Sequence, residues 1–123
     1  MRNRLMPCAL IVALAAGCVR PTLRDAKLAA LAAKETAETA YLTVRVQYLL
    51  GRVDEATMLR ARELYVSWKL AQEALLSVIA AAETGTPSAA GEIAMLRRRV
   101  EVLSAELARM AAEVKTGAPQ RAG

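Results

Sequence analysis

Gly51-Arg52-Val53-Asp54-Glu55-Ala56-Thr57-Met58 closes one long helical period and opens another. Glycine reaches positive φ without a Cβ clash, so Gly51 suits the residue just past a helix end. Arg45 and Arg52 complement the negative pole of that end. Asp54 has the short acceptor side chain that caps a helix start. Val53 and Met58 flank the cap at the spacing of a hydrophobic staple, and Glu55 meets the positive pole. The link Gly51-Arg52-Val53 is too short for anything but a fold-back. The stretch therefore predicts an antiparallel helical hairpin.

The second helix is expected over residues 54–83. Met58, Ala61, Tyr65, Trp68, Gln72, Leu75, Ile79 and Ala82 recur along it at alternating spacings of three and four, which is one seam. The first helix is expected over 22–50, starting after Pro21 with Asp25 in its opening turn. Its seam is Leu23, Ala26, Ala30, Ala33, Ala37, Ala40 and Val44. Folding the chain at residues 51–53 sets Ala26 against Ile79, Ala30 against Leu75, Ala37 against Trp68 and Ala40 against Tyr65. Small opposes large at nearly every layer, as close packing requires.

Thr84-Gly85-Thr86-Pro87-Ser88 ends the second helix with loop formers. A third helix is expected over 92–115. Ile93, Leu96, Val100, Leu103, Leu107, Met110 and Val114 hold unbroken a and d heptad positions, and such a seam demands cover. Cover comes either from the hairpin or from a second copy paired through the seam from Ile93 to Val114. Leu28, Leu31, Leu42, Val46 and Leu49 on the first helix, with Leu64, Ala71 and Val78 on the second, offer apolar area for the third helix. Glu92 and Arg97 sit at the g and e positions that select partners. The expected fold is all-α: a helical domain over residues 22–115 forming a small three-helix bundle. Residues 116–123 lack an apolar period and read as a disordered tail.

The first 18 residues follow a different plan. Arg2 and Arg4 precede an apolar run over 5–14 broken only by Pro7, and Ala15-Ala16-Gly17 then leads into Cys18. Basic start, apolar run and small-residue exit are the order of a secretory signal peptide. The run stops near Gly17, short of the roughly 20 apolar residues a membrane span needs. Leu14-Ala15-Ala16-Gly17-Cys18 resembles the lipobox of bacterial lipoproteins. The resemblance implies a signal peptide over 1–17, acylation of Cys18, and a lipidated tether over 18–21 holding the chain to a membrane. Val19 lacks the Asp that often marks inner-membrane retention in that class, so the resemblance points to the periplasmic face of the outer membrane.

Composition excludes much else. The chain has no histidine and no phenylalanine, and only one tryptophan. Without Arg2 and Arg4, the 17 basic residues become 15 against 12 acidic ones, a net charge of +3. That is too mild to call for nucleic acid. Cys8 falls in the signal and Cys18 is taken by lipid, so no disulfide is expected. The missing imidazole removes the usual general base and metal ligand. Glu35 with Glu38, and Glu55 near Glu63, read as solvated faces rather than catalytic pairs. The run Arg97-Arg98-Arg99 reads as a solvated face paired with Glu101 and Glu106, ahead of contact with anionic lipid or cell-wall polymer. Tyr41, Tyr48, Tyr65 and Trp68 read as a cluster near the closed half of the hairpin, core rather than ligand patch. The expectation is a non-catalytic envelope protein without cofactor or metal, presenting a helical surface to an envelope partner. The alternative is a phage-encoded lipoprotein of a lysis or superinfection-exclusion module.

Overall fold

A computed structural model of the chain describes residues 19–85 and 90–116. Three helices make up the described residues: α1 (Val19–Leu49), α2 (Glu55–Glu83) and α3 (Ala90–Lys115). Every pair is in contact, and α1 and α3 make the most extensive close approach. The signal over 1–17, Cys18 and residues 117–123 of the tail lie outside the described residues.

The hairpin turn is built as its residues dictate. Gly51 sits at φ 75°. Its N–H donates to the Tyr48 carbonyl at 2.9 Å, and the Arg52 N–H donates to the Gln47 carbonyl at 2.9 Å. Those two bonds are a Schellman closure, which satisfies carbonyls that the helix end leaves free. Asp54 Oδ1 then accepts from the Thr57 N–H at 2.8 Å and caps α2. Val53 and Met58 are both buried beside that cap.

The Thr57 hydroxyl, and then its backbone N–H, hold the Asp54 carboxyl below the usual carboxylate range. A lowered folded value means the cap contributes stability above the ordinary pKa of about 4 and loses it as pH falls through the folded value. Asp54→Asn keeps an acceptor without the titration. Thermal melts at neutral and acid pH should show a smaller acid loss in that variant. An identical acid loss would remove Asp54 from the account.

The core is alanine on one side and large residues on the other. Ala26, Ala30, Ala33, Ala37, Ala40 and Val44 of α1 are buried, as are Met58, Ala61, Trp68, Leu75 and Ile79 of α2. Tyr65 and Ala82 are half-buried at the seam's edge, as is Leu23. Tyr41 stacks on Tyr65 with ring centroids 4.4 Å apart and an interplanar angle of 13°. Lys27 pairs with Glu83 at the other end of the hairpin. These contacts run in opposite senses along α1 and α2, so the pair is antiparallel. Of the two ways to cover the heptad seam of α3, the fold takes the intramolecular one. Ile93, Val100, Leu107, Met110 and Val114 are buried, with Leu96 and Leu103 half-buried.

Three expectations need correction. The first concerns where the helices begin. α1 starts at Val19 rather than residue 22, and Asp25 falls beyond its first turn. Pro21 does not stop it, because the amide that proline lacks is among those without an acceptor in a first turn. α1 also ends at Leu49, leaving Arg45 outside its last turn, and α3 begins at Ala90 rather than residue 92.

The second concerns what α3 covers. Leu28, Leu31, Leu42, Val46 and Leu49 are exposed, not packed beneath α3. At 3.6 residues per turn they lie on the side of α1 opposite Ala37 and Val44. Leu64 and Val78 of α2 are half-buried and Ala71 is buried. α3 seats instead on the alanine face of α1, where its own Ser104 and Ala111 are buried. Small side chains on both helices let the backbones come close, and that outweighs covering the larger aliphatics. The third correction is Tyr48, which is exposed and joins no aromatic pair, while Tyr41, Tyr65 and Trp68 do associate.

One buried polar residue links the hairpin. Gln72 Nε2 donates to the Ala30 carbonyl at 2.9 Å. Among the described residues, Gln72 Oε1 and Trp68 Nε1 are buried without partners. Ala30 keeps its helical bond without Gln72, so Gln72→Leu orphans nothing new and removes one unpaired acceptor. The variant should be about 1 kcal/mol more stable. A loss of that size in a denaturant melt would mean the bond to Ala30 outweighs the orphan.

Candidate functional surfaces

The exposed faces of three amphipathic helices are the surfaces available for function. Between α1 and α3 runs an open groove of about 560 Å³, floored by Ala40, Ala108 and Ala111 and edged by Glu35, Thr39 and Lys115. It exists because small residues meet there. A second hollow of about 420 Å³ lies between α2 and α3, where Asp54, Arg60, Arg109 and Glu113 surround Met110. Glu106 stands beside it, 3.5 Å from Arg109 and 4.0 Å from Arg60. All three side chains are at least a third exposed, so these pairs contribute little to stability.

The acidic pairs considered from sequence stay apart from any enclosed site. Glu35 and Glu38 are exposed on α1, and Glu55 and Glu63 are exposed two turns apart on α2. Among the described residues, no group of three or more Asp, Glu, Cys or His is placed to hold a metal ion. In the arginine run, Arg97 Nε donates to Glu101 Oε2 at 3.4 Å, the helical pairing expected of a solvated face. Arg98 and Arg99 are exposed, and Glu106 pairs with Arg109 rather than with the run.

The aromatic group is core with a polar rim. Trp68 is buried, its ring centroid 5.5 Å from that of Tyr65. Burial, then the charge of Glu38 and the neighbouring Tyr41, push the Tyr65 hydroxyl above the ordinary tyrosine range. It therefore stays protonated near neutrality.

The sequence reading missed the groove beside Ala108 and Ala111. Its trace is the Ala and Thr on one flank of α1 and the Ala108, Ala111 and Ala112 of α3, which is also what a buried seam looks like. No helix among the described residues is long and apolar enough to cross a membrane. No protein-family model, curated protein or solved structure matches the chain.

Proposed function

We propose that this is a lipid-anchored, non-catalytic protein of the bacterial envelope, held by acylated Cys18 and presenting its helical bundle to an envelope protein. The observation that carries the reading is Leu14-Ala15-Ala16-Gly17-Cys18 behind Arg2, Arg4 and the apolar run of residues 5–14. Val19 directly after the cysteine favours the periplasmic face of the outer membrane. α1 begins at Val19, so the bundle would follow the anchor directly. The absence of histidine and the exposure of the carboxylate pairs favour binding over chemistry. Burial of the seam from Ile93 to Val114 inside the chain leaves the outer helix faces for partners.

Metabolic labelling with palmitate tests the anchor. The wild-type chain should take label and be shortened, while Cys18→Ser should take none and accumulate as precursor. Equal labelling of both chains, or none in the wild type, removes the lipoprotein reading.

A further inference from the structure

The closed end of the hairpin is apolar, exposed and free of acidic side chains on its α1 side. Leu42, Val46, Leu49 and Leu50 are 58%, 43%, 72% and 58% exposed. They occupy the last two turns of α1 and the residue after it, on the face turned away from the core. An apolar cluster of this kind at one end of a small domain marks an interaction site. No acidic residue occurs between Glu38 and Asp54, whereas Arg45 and Arg52 fall within the stretch. Asp54 and the exposed Glu55 belong to the start of α2, where Asp54 caps the helix and lines the α2–α3 hollow with Arg60 and Arg109.

We infer that this tip docks into the surface of an anionic lipid bilayer. Leucines entering the headgroup region with arginines at their edge are what interfacial binding requires: buried apolar area plus attraction to negative lipid. Arginine stems extend along apolar surface and keep the guanidinium at the phosphates. The backbone suits it too. Bonds from Leu50 N–H to the Val46 carbonyl, Gly51 N–H to the Tyr48 carbonyl and Arg52 N–H to the Gln47 carbonyl close the helix end. Fewer carbonyls then lose water on entry. A second copy is the poorer occupant, since a two-fold contact through this patch gathers four arginines into one interface to which residues 39–53 bring no carboxylate. The tip stands about 46 Å from Val19 along α1. It is a contact separate from residue 18, and the inference does not rest on acylation of Cys18.

The test uses the full chain with Leu49→Trp, mixed with phosphatidylglycerol–phosphatidylcholine vesicles whose acyl chains carry bromine, a contact quencher of indole. Leu70→Trp is the control, because Leu70 is exposed on α2 away from the tip. Trp68 is buried and contributes the same background to both. The Leu49 indole should lose most of its emission and shift to the blue, while the Leu70 indole should not. Replacing both Arg45 and Arg52 with Gln should lower the ratio of docked to free tip about fivefold per charge. Equal quenching at both positions overturns the inference, because attachment elsewhere would then explain it. Equal quenching on pure phosphatidylcholine removes the role of charge and overturns it as well. A blue shift that grows with protein concentration without vesicles assigns the tip to a second copy instead.

Discussion

Leu107→Asp should unfold the whole bundle at neutral pH. Leu107 is fully buried in the C-terminal half of the α3 seam. Removing a buried leucine costs about 2–5 kcal/mol by itself. A carboxylate left in the core, whose described buried residues include no Lys or Arg, adds a further desolvation cost. Against a total stability of about 5–15 kcal/mol, the helices cannot stay packed. Because all three helices share one core, the hairpin should melt with α3 rather than survive it. Burial raises the pKa of the new carboxyl in any folded population, so the damage is greatest at high pH and eases as the pH falls toward protonation. Ala105→Asp is the control, since Ala105 is exposed on the same helix. Circular dichroism of the chain lacking residues 1–18 reads both variants. A Leu107→Asp protein that keeps its helicity and melts cooperatively would mean that the hairpin stands without α3.

Trp68→Ala and Ala37→Trp probe the same layer from its two sides. Trp68 is 3% exposed and Ala37 is 0% exposed. Emptying the indole site should cost about 3–5 kcal/mol, because flanking alanines are too small to fill it. Filling the alanine site with a second indole should cost about 1–3 kcal/mol by overpacking, or more where α1 and α3 already approach closely. The double variant moves the large residue from α2 to α1. Its loss should be smaller than the two single losses added together, since each change relieves part of the strain of the other. Strict additivity in denaturant melts would show that residues 37 and 68 do not share a layer.

The hairpin was legible because its signals are local and agree. Gly51, Asp54 and the alternation of three and four along both seams each specify the same turn and the same faces. The buried residues of α1 are the alanines and valine of the expected seam. The register was legible to within about a turn. Ala30 was expected opposite Leu75, and its carbonyl receives Gln72; Tyr65 was expected opposite Ala40, and it stacks on Tyr41. The placement of α3 was harder to read. Sequence reasoning gave it the large aliphatics of α1, on the premise that hydrophobic side chains are covered. The folded chain gave it the alanines, because backbone proximity brings many small contacts, and left Leu42 and Leu49 in the open. Pro21 misled for a related reason: its restriction matters inside a helix and not in a first turn. No candidate active site was read from the sequence, because histidine is absent and the acidic pairs read as solvated faces. What it does hold, an apolar tip edged by arginines, becomes visible only once the core has claimed its share of the apolar residues.

The intact mass of the protein extracted from bacterial membranes reads both its first residue and any lipid on Cys18. The chain should begin at Cys18 and carry the added mass of a diacylglyceryl group, with or without a third acyl chain on the new N-terminus. A chain that begins at Met1, or at any residue other than Cys18, or that begins at Cys18 with no added lipid mass, would contradict the anchor at Cys18.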